Sequence, residues 1–185
     1  FSTCAMNAYV QPVIQRHLAQ LEKGLDENHL TAPLFVMKSN GGVMSAAVAR
    51  QQSVETMLSG PAGGVVAGAA VAGKHQHHNL ITADMGGTSF DVSVIHEGKV
   101  AFARETEMSG LALGIPMLDI HTVGAGGGSI GWIDAGGSLR IGPRSAGAKP
   151  GPVCYGRGGT EPTVTDANLV LGRLASGSLL GGDMQ

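Results

Sequence analysis

The stretch Leu80-Ile81-Thr82-Ala83-Asp84-Met85-Gly86-Gly87-Thr88-Ser89-Phe90-Asp91-Val92 constrains the fold more than any other part of the chain. An apolar run ends on an acid. Two glycines, two hydroxyl residues and a second acid follow, and Val92 and Val94 then alternate with polar positions. The pattern predicts a strand, a tight turn and a second strand. Two readings of the turn stay open. Glycine lets another group approach the main chain closely, so bare N–H groups here can cradle an anion of phosphate size. Thr88 and Ser89 would add hydroxyl donors, and Asp84 could hold a divalent cation or its waters. An ordinary hairpin with a glycine turn fits the same pattern. For Asp91 the expectation is a surface acid on that hairpin.

Glycine shapes the rest of the chain as well. There are 30 glycines in 185 residues, more than twice the usual ~7%. They cluster at 41–42, 60–68, 86–87, 124–131, 136–137 and 156–159 without a period, which excludes collagen and predicts many tight turns. Aromatic residues make up only 4%, so the core must be built from Val, Ile, Leu, Ala and Met. With 43% hydrophobic and 14% charged residues the chain is globular. A net charge of −2 and no basic tract argue against nucleic acid and anionic membrane as partners. No apolar run reaches the length of a membrane span. Cys4 and Cys154 are too far apart for a disulfide framework or a zinc spacing, so a reducing, cytoplasmic setting is expected.

Val10, Val13, Ile14, Leu18, Leu21 and Leu25 have helical spacing, with Pro12 acceptable in a first turn and Gly24 as a stop. Leu34–Met37 reads as a short buried strand, Ser39–Gly42 as a turn, and Ser45 as the N-cap of a short helix. Ser59-Gly60-Pro61-Ala62-Gly63-Gly64 opens a small-residue helix ending near Gly73, with Pro61 at the first helical position. Its Gly64, Gly68 and Ala69 face suits close packing, and its first N–H groups suit an anion. His75, His77 and His78 are expected to form a solvated loop. Hairpins are predicted across Glu97-Gly98-Lys99, leading into a strand at 100–104, and across Asp134–Gly137, and a helix capped by Thr165 from Asp166 to about Leu174.

Two further groups carry chemistry. Asp119 and His121 are two apart on an alternating segment, so both would point to one face. They could form a metal pair, an oriented general base or a buried structural hydrogen bond. The Gly124–Ser129 run after them matches neither the dinucleotide fingerprint nor a Walker loop. The proline- and glycine-rich loop 142–162 carries Lys149 and Arg157, which could clamp a carboxylate or phosphate. It also carries Cys154, a nucleophile without a visible base, and Tyr155, a packing anchor.

Five strings occur here in the same order as in the hydantoinase A / 5-oxoprolinase family: Ser39–Gly42, Ser59–Gly64, Asp84–Asp91, His121–Ser129 and Pro150–Gly156. The chain resembles a central fragment of that family, which includes the nucleotide-binding subunits of acetone and acetophenone carboxylases. The resemblance implies an α/β fold of the actin, sugar-kinase and heat-shock-ATPase type, built from ribonuclease-H-like domains. Residues 1–75 would end the first such domain and carry its joining helix, and 76–185 would begin the second. Gly86, Gly87, Thr88 and Ser89 would meet the phosphates of ATP, and Gly126 and Gly127 would be further cofactor-binding residues. Asp84 would bind Mg²⁺, with Mn²⁺ or Zn²⁺ as alternatives, and Asp119 and His121 would act as base or metal ligands. The implied activity is ATP-dependent hydrolysis of a cyclic amide, a hydantoin or 5-oxoproline, through a phosphorylated intermediate. The alternatives are a nucleotide-binding subunit of an ATP-dependent ketone carboxylase and a non-catalytic, nucleotide-responsive module. A hydantoinase B-type subunit or domain is the implied partner.

Overall fold

Small-residue helices and short strands alternate along the chain and produce a mixed α/β structure, seen in a computed structural model that describes residues 1–103, 106–108 and 110–175. The described residues fall into two compact units: 1–82 with 93–120, and 83–92 with 121 onward. The end of the strand expected at 100–104 lies outside the described residues.

In the first unit, α1 (Ser2–Glu27) contains Pro12 in its interior and runs through Gly24, so the glycine does not act as the stop. Leu18 is the residue of its apolar stripe that becomes fully buried, against Met44 and Ala49. Val13 and Leu21 stay exposed. Side-chain bonds hold the helix instead: Asn7 donates to the Gln51 carbonyl and accepts from the Val54 N–H, and Glu22 pairs with Arg50. Strands β1 (Phe35–Met37) and β2 (Val43–Ser45) form an antiparallel hairpin. Ser45 caps α2 (Ala46–Gln51), as the sequence predicts.

Helix α3 (Ser59–Lys74) starts two residues before the predicted position. Leu58 precedes it with φ 54°, a left-handed conformation uncommon for leucine, and Pro61 therefore sits at the third helical position. The helix supplies Ala62 and Val65 to a second core with Ile95 and Leu118. Its glycine face does pack closely, since a Cβ on Gly68 would stand 2.8 Å from Cγ2 of Thr82.

A four-stranded sheet follows, in the order β3 (Leu80–Met85), β4 (Phe90–His96), β5 (Lys99–Val100), with β8 (His121–Val123) also paired to β4. The unit division cuts β3 after Thr82 and β4 after Val92. The β4–β5 turn is Glu97-Gly98, both at positive φ, the geometry of a two-residue hairpin; Lys99, predicted in the turn, instead pairs with His96 at the start of β5. The short pair β6 (Glu107–Met108) and β7 (Leu111–Ala112) lies in the first unit.

The second unit holds β8, the hairpin of β9 (Ser129–Ile133) and β10 (Leu139–Ser145), and α4 (Val164–Val170). Asp134 closes the hairpin by accepting from the Gly136 and Ser138 N–H groups and from Arg140. The Arg140 guanidinium, then the Ser138 N–H, hold its carboxyl below the usual range. Thr163, not Thr165, caps α4: it accepts from the Asp166 N–H while Asp166 reaches back to it, a capping box. No helix among the described residues is long and apolar enough to cross a membrane.

Candidate phosphate cradle in the second unit

The opening stretch forms the predicted strand, turn and strand. The Gly86 N–H donates to the Ser89 carbonyl at 3.0 Å and closes the turn. The turn is seated on the Gly124–Ser129 run. The Gly127 N–H donates to the Gly86 carbonyl at 2.8 Å, and the Gly128 N–H donates to the Gly87 carbonyl at 2.7 Å. Glycine is required for this approach, because a Cβ on Gly128 would lie 2.9 Å from the Gly87 oxygen. Helix α4 locks the seat from behind. The Thr165 N–H and hydroxyl both donate to the Gly127 carbonyl, each at 2.8 Å.

These bonds use the turn's carbonyls and leave its amides. Among the described residues, the N–H groups of Gly87, Thr88 and Ser89 donate to no protein group, and neither does the Thr88 hydroxyl. Three successive free amides in a glycine turn form an anion-binding concavity.

The predicted site residues are placed as follows. Gly86, Gly87, Thr88 and Gly127 line a cleft of about 720 Å³. Gly126 is buried beneath the turn, and its carbonyl accepts from the Ser129 N–H. The Ser89 hydroxyl donates to Asp91 at 3.0 Å, so it is engaged internally. Asp84 is exposed at the end of β3, and its carboxylate has no protein partner among the described residues. Asp119 and His121 are both exposed and belong to different units. The Asp119 main chain is held in the first unit, where its N–H donates to the Ala101 carbonyl and its carbonyl accepts from Ser93. His121 lies opposite Val92 in the β4–β8 ladder. Among the described residues no three His, Cys, Asp or Glu side chains converge into a metal site.

Asp91 corrects the expectation of a surface acid. It is 8% exposed and accepts two hydroxyl bonds, from Ser89 and, at 2.6 Å, from Thr122 across the ladder. It therefore ties the end of the turn to β8.

The 142–162 loop supplies the rest of the cleft wall. Pro152, Tyr155 and Arg157 line it, together with Thr165 and Asn168 of α4. Arg157 lies over the Tyr155 ring, 5.9 Å from its centroid. Arg144 is paired with Glu161, and Lys149 does not line the cleft. Asp166 organises this wall. It accepts from the N–H groups of Val153, Cys154 and Thr163 and from the Thr163 hydroxyl. Burial opposes its ionisation, but the Cys154 and Thr163 donors outweigh burial and hold its pKa below the ordinary value. Burial and then the adjacent Asp166 push the Cys154 thiol up to about 11. A thiol held protonated is a poor nucleophile. The capping-box string Thr163-x-x-Asp166 was the sequence signal for this part of the site.

The chain is similar to known proteins over most or all of its length. The alpha subunit of caprolactamase from Pseudomonas jessenii is 47% identical over 184 residues, 100% of this chain and 26% of that subunit. A crystal structure of ATP-dependent caprolactamase from the same organism superposes with a TM-score of 0.74 at 45% identity, covering 100% of this chain and 27% of that one. The 5-oxoprolinase of Dictyostelium discoideum is 42% identical over 185 residues, 93% of this chain and 14% of the enzyme. Nucleotide-free acetone carboxylase superposes with a TM-score of 0.81 at 31% identity, covering 92% of this chain and 24% of that one. The chain thus spans about a quarter or less of the length of these proteins. The family model described as hydantoinase/oxoprolinase matches residues 1–185, and the chain belongs to the hydantoinase/oxoprolinase family.

Proposed function

We propose that the second unit carries a phosphate-binding wall of the nucleotide site in an ATP-dependent enzyme that opens a cyclic amide. The observation that carries this reading is the run of three free amides at Gly87, Thr88 and Ser89, two of whose residues line a cleft of about 720 Å³. The cleft is within the size range of ligand pockets. Its glycine seat fits the close approach of a polyphosphate to the main chain. The substrate class is supported by relatives named for caprolactam and 5-oxoproline hydrolysis.

A lactam resists water because its nitrogen lone pair is delocalised into the carbonyl. In the proposed reaction the lactam oxygen attacks the terminal phosphorus of ATP, and ADP leaves. Water then adds to the activated carbon, the C–N bond breaks as the nitrogen takes up a proton, and a second water hydrolyses the resulting acyl phosphate to release phosphate and the carboxylate. Fixed amide donors favour the charge that develops on the phosphoryl oxygens. Asp84 is proposed as the protein ligand of Mg²⁺. One carboxylate is enough where substrate phosphates and waters complete the shell, which fits an exposed acid outside any three-residue cluster. Asp119 and His121 are proposed for the base or metal role.

The fold proposed for the parent is the actin and sugar-kinase type. Residues 1–75 close one ribonuclease-H-like domain and 76–185 open the next. A hydantoinase B-type subunit or domain is the proposed partner. A second reading, the nucleotide-binding subunit of an ATP-dependent ketone carboxylase, is favoured by the likeness to acetone carboxylase.

The test is phosphate release by the full-length parent with Mg·ATP. Caprolactam, 5-oxoproline and hydantoin are compared with acetone plus bicarbonate. Stimulation by a cyclic amide is the expected result. Stimulation by acetone plus bicarbonate alone would select the carboxylase, and absence of Mg·ATP binding by calorimetry would overturn both readings.

A further inference from the structure

Among the described residues that line the cleft, Arg157 is the one that carries a charge. The other arginines of the second unit's hairpin and loop are spoken for: Arg140 bonds Asp134 and Arg144 bonds Glu161. Arg157 forms no ion pair among the described residues, and its guanidinium instead lies over the Tyr155 ring. An arginine stacked on an aromatic face keeps its fork of donors free for a planar or tetrahedral anion. Among the described residues no carboxylate lines the cleft to attract it. The described lining therefore offers a single guanidinium with free main-chain and hydroxyl donors, and Asp84, the proposed Mg²⁺ ligand, stands outside that lining.

The position of Arg157 is also fixed by more than its own side chain. Tyr155 ends a 3-10 turn, Val153–Tyr155, whose Val153 and Cys154 N–H groups are both held by Asp166 at the start of α4. Behind that turn Gly159 packs against main chain so closely that a Cβ there would lie 2.2 Å from the Gly151 oxygen. The same α4 locks the Gly127 seat of the free-amide turn through Thr165. One helix start thus anchors both the amide donors and the segment that presents the arginine.

We infer that Arg157 is the cationic ligand of the nucleotide's polyphosphate in this cleft, and that Lys149, the other free cation of the loop, is not. The inference rests on the proposed nucleotide site and assigns to one side chain a role that the glycine turn cannot fill alone. Amides supply partial charge, whereas a guanidinium supplies a full charge and two parallel bonds to phosphoryl oxygens.

The experiment uses the full-length parent and calorimetric binding of three probes: Mg·ATP, inorganic tripolyphosphate and adenosine. Arg157→Gln is expected to weaken ATP and tripolyphosphate by about tenfold or more while leaving adenosine unchanged, the size of a lost charge-assisted hydrogen bond. Arg157→Lys is expected to fall between, because it restores the charge without the fork. Lys149→Gln is expected to bind all three probes as the wild type does. Equal weakening of all three probes by Arg157→Gln would assign the residue a structural role and overturn the inference. Unchanged ATP affinity in Arg157→Gln would overturn it as well and leave the nucleotide site standing. A wild-type parent that binds no ATP would overturn the nucleotide reading itself, a result distinct from either.

Discussion

A Cβ built on Gly126 would stand 2.6 Å from the main-chain nitrogen of Thr88, and equally close to the Thr88 carbonyl carbon and the Ser89 nitrogen. All three obstacles are backbone, so no side chain can swing aside. The turn that carries the free amides is therefore shaped by a residue 38 positions later in the chain, through the absence of a side chain.

Gly126→Ala should lift the turn off its seat. Overpacking of this kind costs about 1–3 kcal/mol, and ATP affinity of the parent should fall with it. Gly124→Ala is the internal control, because nothing lies within 4 Å of its Cβ position. Urea titration and ATP calorimetry on both variants decide the matter. Gly126→Ala matching the control in both would show that the turn is not seated as described.

Asp91 predicts a second, separable effect. Asp91→Ala leaves the hydroxyls of Ser89 and Thr122 without their acceptor at a part-buried site. Two hydrogen bonds to a carboxylate are lost, and because the stranded hydroxyls stay partly open to water the cost is at the lower end of the range, about 1 kcal/mol. Replacing both donors as well, in Ser89→Ala with Thr122→Val, should recover part of the loss, and the triple variant measured by chemical denaturation checks it. A triple variant as unstable as the three single losses added together would exclude the proposed network.

The pair Cys154 and Asp166 predicts opposite dependences on pH. Asp166 has its pKa depressed in the fold, so its stabilising contribution is present above the ordinary carboxylate range and is lost as pH falls through the depressed value. Cys154 has its pKa raised from 9.0 to about 11, so the unfolded chain loses that proton first and stability declines between those values as pH rises. The thiolate population of Cys154 at pH 8 is then about a hundredfold below that of an ordinary thiol. Iodoacetamide at pH 8 should label the exposed Cys4 well before Cys154, and Asp166→Asn should narrow the gap. Equal labelling rates in the wild type would contradict this environment.

What was legible in the sequence, and what was not, divides along physical lines. The β9–β10 hairpin across Asp134 and the Ser45 cap were readable because each depends on residues within a few positions of itself. The Gly86–Ser89 turn was readable as a shape, but its orientation was not. Which amides stay free depends on Gly127 and Gly128 taking the turn's carbonyls, a contact across some forty residues. The burial of Asp91 depends in the same way on Thr122 standing opposite it. Alternation along a strand says that two faces exist, and only the partner strand says which is inside. The start of α3 was misplaced because Leu58 adopts a left-handed φ that leucine does not favour locally.

In the first unit the contact of Gly68 with Thr82 makes a prediction that separates packing from helix propensity. Gly68→Ala should by propensity stabilise α3 by about 0.5–1 kcal/mol. The structure predicts the opposite sign, because the new Cβ would meet Cγ2 of Thr82 at 2.8 Å and the next nearest atom is Thr82 Cβ at 3.9 Å. The obstacle is thus one methyl group. Thr82→Ser removes that methyl and keeps the hydroxyl that donates to the Ser93 carbonyl at 3.3 Å. The double variant Gly68→Ala with Thr82→Ser should therefore be more stable than Gly68→Ala alone by about 1 kcal/mol or more, a coupling of the size expected for residues in direct contact. A double-mutant cycle in guanidinium chloride measures it. If Gly68→Ala stabilises the wild-type background, or if the two changes are additive, α3 does not lie against β3 at this distance.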